Sequence, residues 1–196
     1  MKKSFLILAS LFVSSFALAS PISNAKAAEF GLHRVERLVL QKKAEAGFLA
    51  HLQGMTIEPL VHQNNTDAAF KVVAYQFAAA DNSRRKIEMA LSEAGKPITV
   101  EVKDGGEPPV GFPVWPSANG LTLCEGAIHY ILENVSSNSK LQVYFDKLSQ
   151  FSISAGKNSQ GQDVAVVDVV AGAADPVLKI FVKFDGTLDS VSFVQP

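Results

Sequence analysis

Asp163-Val164-Ala165-Val166-Val167-Asp168-Val169-Val170-Ala171 and, beyond Asp175-Pro176, Val177-Leu178-Lys179-Ile180-Phe181-Val182-Lys183-Phe184 decide how this chain folds. Both runs are dominated by β-branched and aromatic residues and are bounded by turn formers, so both read as strands. The break between them is short, which makes the pair antiparallel. A sheet with helices on one side should alternate apolar and polar residues. In the first run, Ala165, Val167, Val169 and Ala171 form one parity. The other parity, Val164, Val166, Asp168 and Val170, is still mostly apolar. In the second run Leu178, Ile180, Val182 and Phe184 share one face, and Phe181 stands between Lys179 and Lys183 on the other.

Reading outward, Gln150–Ala155 and Leu188–Val194 are further strands, punctuated by Asn158–Gln162 and Asp185-Gly186. Ahead of them, Thr122 can cap a helix running through Val135. Ser137 or Ser139 can open a second, carrying Leu141, Tyr144, Phe145 and Leu148. The first half has the same order. Glu29–Lys43 is amphipathic, with Leu32, Val35 and Val39 on one face, and Ala44–Gln53 continues or restarts the helix. Strands are then expected near Met55–His62, Ala68–Ala78, Arg84–Ser92 and Pro97–Lys103.

Sliding the chain until His33 falls on His129 brings Leu32 onto Ile128, Val35 onto Ile131 and Val39 onto Val135. Phe48 then meets Tyr144, Leu52 meets Leu148, Ile57 meets Ile153 and Asp67 meets Asp163. The pattern predicts an α+β protein of two related repeats, each two helices and a four-stranded antiparallel sheet. The expected boundaries are a leader over 1–19, a first repeat over 20–103, a Pro/Gly-rich linker over 104–121 and a second repeat over 122–196. A single sheet continuous through both halves, or unmatched helices, would sink this reading. In element order the chain resembles the tandem-repeat β-lactamase inhibitory proteins, and each half is similar to the PepSY domains of exported proteins. The Phe184-Asp185-Gly186 turn is similar to the Asp-Gly hairpins of PepSY modules. The resemblance implies an exported α+β binding module and carries over no functional residue.

Lys2 and Lys3, the apolar Phe5–Phe16 stretch and Ala17-Leu18-Ala19 have the layout of a cleavable signal peptide, and they imply a periplasmic or secreted protein. The apolar run is shorter than a spanning helix needs, so no stable membrane anchor is expected after cleavage. The chain is 47% hydrophobic and 19% charged with a net charge of −1, enough to build a core and giving no electrostatic reason to bind nucleic acid. Arg84-Arg85-Lys86 is a local exception that a solvated turn explains. Cys124 is the sole cysteine, which excludes an intrachain disulfide, and it falls on an apolar helical stripe.

No nucleophile elbow, metalloprotease helix, phosphate-binding loop or cysteine knuckle is present, so neither a metal nor a cofactor is expected. His33 and His129 occupy equivalent places, and Glu125, His129 and Glu133 line one helix face as on any solvated helix. The positive signal is apolar surface on the second parity of the strands. It nominates Phe181, Val164, Val166 and Val170, with Tyr75 and Val73 from the first half, as a partner-binding face. Trp115, set among prolines beside Phe112, is a further candidate anchor. The reading is an exported, non-catalytic binding or inhibitory protein that takes a protein or peptide ligand through an apolar sheet face or inter-repeat groove. The alternatives are a small exported hydrolase without a recognisable motif and a structural envelope protein that self-assembles into homo-oligomers. The leader reading predicts that exported protein begins at Ser20. N-terminal sequencing that found Met1 on membrane-bound material would refute it.

Overall fold

A computed structural model describes residues 22–45, 47–60, 67–76, 86–103 and 120–195. The leader over 1–19, residues 104–119 of the linker expected over 104–121, and Arg84, Arg85, Phe112 and Trp115 lie outside the described residues, while Gly120 and Leu121, expected at the linker's end, instead open a helix. The first helix, α1 (Asn24–Leu40), begins well before Glu29 because the Ser23 side chain accepts from the Lys26 amide at 3.2 Å, which satisfies one of the free donors of the first turn. Its apolar face is Ala28, Leu32, Val35 and Leu38, all buried. A single turn, α2 (Gly47–Ala50), follows. Then come β1 (Gly54–Pro59), β2 (Ala68–Tyr75), β3 (Lys86–Ser92) and β4 (Pro97–Lys103). In the second half, α3 (Gly120–Asn134), a 3₁₀ turn at Ser139–Leu141 and α4 (Gln142–Lys147) precede β5 (Gln150–Lys157), β6 (Asp163–Val170), β7 (Val177–Val182) and β8 (Leu188–Val194).

The strands form one antiparallel eight-stranded sheet in the order β4-β3-β2-β1-β5-β6-β7-β8. The protein is therefore α+β, but the expected pair of separate four-stranded sheets is not what forms. Strand β1 pairs with β5, with Gly54 opposite Ser152, Met55 opposite Phe151 and Thr56 opposite Gln150. Two meanders that stayed apart would each expose the edge of their first strand; joining them pairs the first three residues of each. Periodicity within a strand carries no information about which edge it meets.

Helices cover one face of this sheet. Beneath α1 lie Met55, Ile57, Val72, Ala74, Ile87 and Met89, none more than 2% exposed. Beneath α3 lie Phe151, Ile153, Val167, Val169, Leu178 and Ile180, equally buried. Gly31 lets α1 settle close, since a Cβ there would sit 2.9 Å from Val72 Cγ1 and 3.1 Å from Met55 Sδ. Helices α1 and α3 also pack on each other. Each rests on a hairpin turn of its own half. The Phe30 ring lies against Gly95 (φ 74°) in the β3–β4 turn, and Thr122 lies against Gly186 (φ 88°) in the β7–β8 turn. Both glycines hold a left-handed conformation that side chains rarely adopt.

Gly54 is the tightest point of the seam, because an added Cβ would overlap the Phe151 carbonyl oxygen and lie 2.8 Å from Tyr75 Cζ. Gly54→Ala should destabilise the fold by about 2 kcal/mol or more, as forced overpacking does. Gly47→Ala, whose nearest neighbour atom is 3.6 Å away, should be neutral or slightly stabilising. Denaturant unfolding of the two variants checks the contrast.

Candidate functional site

The sheet face away from the helices carries a groove of about 560 Å³ across the seam. Its floor comes from β2, β1 and β5, and its far wall from β3. Tyr75, at the end of β2, defines it. Because Gly54 opposite lacks a side chain, the Tyr75 ring lies across β1 and its hydroxyl reaches β5. There the hydroxyl meets the Phe151 carbonyl oxygen at 3.5 Å and accepts from Gln150 Nε2 at 3.3 Å. Burial pushes the Tyr75 hydroxyl above its ordinary pKa, against a smaller lowering from Gln150. The group therefore stays protonated at neutral pH and is a poor general base.

Around Tyr75 stand Val73, Thr56, Gln53, Ser152 and Ser154, with Lys71, Lys86 and Glu88 along the β2–β3 side. Lys86 and Glu88 form an ion pair. Hydrogen bonding to Lys86, aided by the charges of Lys103 and Lys71, holds the Glu88 carboxyl below its usual range. It is an ionised, paired carboxylate. Lys71 lies opposite Glu58 in the β1–β2 register. The Gln53 Oε1 atom is buried with no hydrogen-bond partner among the described residues.

The residues nominated from sequence fall into three groups. Tyr75 and Val73 line the groove. Phe181, Val164, Val166 and Val170 sit on the same open face, farther along β6 and β7. Within that set, Val164 and Val166 are 1% and 8% exposed and so offer little surface, whereas Phe181 and Val170 are half-buried. Val166 fills the space left by Gly156, where a Cβ would approach its Cγ2 at 2.6 Å, and it pairs with Phe181 across the strands. Apolar residues of the second parity here are packed on each other. Trp115 is the third group, outside the described residues. Asp168 lies directly opposite Lys179 and accepts from its Nζ at 2.8 Å, which resolves the charge inside that run.

Sequence reasoning missed Gln53, Thr56, Gln150, Ser152 and Ser154. Their one signal was the polar alternation Gln150, Ser152, Ser154 in a strand whose other parity is core. The helical candidates lie elsewhere. His33 and His129 are exposed, and His129 Nε2 is 3.8 Å from Glu29 Oε1. The Glu125 carboxyl is raised, first by burial and then by Glu36, with His33 and His129 opposing. Cys124 is fully buried and its thiol is pushed well up by desolvation, so it is unreactive. Among the described residues no cluster of His, Cys, Asp or Glu could hold a metal, and no helix is long and apolar enough to cross a membrane.

No family model matches the sequence. No curated protein matches it either. Among solved structures, the chain is similar to the Bacillus megaterium YpeB C-terminal domain at 12% identity and a TM-score of 0.27, over 86% of this chain and 66% of that one.

The face assignment predicts how two neighbouring β7 positions respond to truncation. Phe181→Ala should cost about 1 kcal/mol or less, the scale of a cross-strand pair. Ile180→Ala, fully buried beneath α3, should cost about 2–5 kcal/mol. Phe184, expected in the core, is only partly buried against it and should fall between them. Melting temperatures of the three variants check the order, and a Phe181 variant less stable than the Ile180 variant would reverse the faces.

Proposed function

We propose that this chain is an exported, non-catalytic binding protein that engages its partner through the open sheet face, centred on the Tyr75 groove. The observation that carries the reading is the pairing of charge around that groove. Glu88 is matched by Lys86, Lys71 faces Glu58, and Asp168 is matched by Lys179 farther along the face. Between these charges a partner meets a fixed aromatic ring among amides and hydroxyls. The leader-like residues 1–19 support export.

The two-repeat reading belongs here in a revised form, as two units fused through their first strands. It is supported by the strand order, which is symmetric about the β1–β5 seam. It is also supported by matching helix environments. Phe30 of α1 touches the β3–β4 turn, and Gly126 of α3, which aligns with Phe30, places its Cβ position 3.4 Å from the Gly186 carbonyl of the β7–β8 turn.

Capture from the exported fraction of the source cells tests the binding face. Wild-type chain lacking residues 1–19 should retain a partner that Tyr75→Ala loses. Leu40→Ala, on the helical side and 73% exposed, should retain it too. Loss in the Leu40 variant with retention in the Tyr75 variant would place binding on the helices.

A further inference from the structure

The lining of the seam groove narrows the class of ligand, an inference that rests on the open face being the binding face. Thr56, Ser152 and Ser154 contribute hydroxyls, each able to donate and accept, and Gln53 and Gln150 contribute amides that present a donor beside an acceptor. Lys86 and Glu88, which also line the groove, are paired with each other, and Lys71 stands opposite Glu58 in register, so the complementary ligand alternates donors and acceptors at short spacing and needs no net charge. An extended peptide fits this poorly. At the seam itself, over Gly54–Thr56 of β1 and Gln150–Ser152 of β5, and along β2, the ladder is already paired on both sides, so this part of the groove floor offers a peptide backbone no free edge. A chain of sugar rings fits it well, since each ring offers hydroxyls around its rim and a C–H face above and below.

Two further features favour the sugar. Tyr75 is anchored at its hydroxyl and seated over Gly54, so it needs little ordering to serve as a platform for a ring face. The Gln53 Oε1 atom has no donor among the described residues, so turning that amide toward a ligand hydroxyl breaks no bond to them at the acceptor and satisfies it. The volume of about 560 Å³ lies within the range of small-ligand sites. We propose that the seam groove is a binding site for a neutral oligosaccharide, with Tyr75 as platform and Gln53 and Gln150 as hydrogen-bonding arms.

The test is a heteronuclear NMR titration of the isotope-labelled chain lacking residues 1–19 with maltotriose, cellotriose and chitotriose at millimolar concentration. At least one should shift the side-chain amides of Gln53 and Gln150 and the backbone of Ser152. Tyr75→Ala should weaken that binding about tenfold or more, and Tyr75→Phe by no more than about threefold. If Tyr75→Ala proves unfolded by circular dichroism, Gln150→Ala, at an exposed residue, takes its place and should weaken binding at least about threefold. Absence of shifts with all three sugars overturns the proposal, as do shifts confined to α1 and α3. So does an uncharged peptide that shifts these signals where the sugars do not. If the sugars fail while capture from the exported fraction still depends on Tyr75, only the ligand class falls. If both fail, the site falls with it.

Discussion

The pairing of β1 with β5 is the constraint on which the rest of the structure depends. Both strands are first in their meanders, so each would otherwise be a sheet edge with an unpaired row of amides and carbonyls. Their union is short but continues beyond the paired residues, with the Ile57 amide donating to the Ser149 carbonyl at 2.8 Å and the Ile153 amide to that of Gln53 at 2.7 Å. Once it forms, α1 above β1–β3 and α3 above β5–β7 are brought side by side and bury each other's flanks. A buried bond then ties the ends together, as Asn24 Nδ2 donates to the Leu148 carbonyl at 2.9 Å across the junction. The same union creates the groove, because Tyr75 from one half and Gln150 from the other meet only there.

What could be read from the sequence follows from the range of each interaction. Strand identity and parity are local properties, and Val177–Val182 shows them plainly: Leu178, Ile180 and Val182 are buried while the alternate residues are not. The helix start at Asn24 is equally local, yet Ser23 lies within a polar stretch that masks its capping role. The seam could not be read, since Gly54 looks like an ordinary helix terminator until the Phe151 carbonyl is placed beside it. The groove was half legible. Tyr75 and Val73 were visible as apolar residues on a second parity, whereas Ser152 and Ser154 look like any solvated strand face until another half of the chain lies alongside.

The excess of valine in β6 shows why hydrophobicity alone does not measure exposure. A valine on an open face is exposed only if its neighbours leave it so. Val166 has Ser154 on one side and Phe181 on the other, with Gly156 diagonal to it, so it leans into the gap and Phe181 packs beside it. Apolar residues placed next to one another across strands satisfy each other. The surface that remains available is therefore the part where neighbours are small or polar, which is the seam.

The titratable groups complete this division between the two faces. Those on the helical side, Glu29, His33, Glu125 and His129, cluster between α1 and α3, and Cys124 is sealed beneath them. Those on the open side are laid out in opposite-sign neighbours along or across strands, as Lys86 with Glu88 and Lys179 with Asp168. At such partly exposed positions each pair adds little stability, so strength is a poor account of the arrangement. Its larger effect is to leave no isolated charge at these positions of the open face, since each is set beside its opposite. The groove itself is walled by hydroxyls, amides and one anchored ring, with Lys86 and Glu88 paired at its far side and Lys71 opposite Glu58 in register, so the polarity of the seam comes from neutral groups set between opposite-sign neighbours.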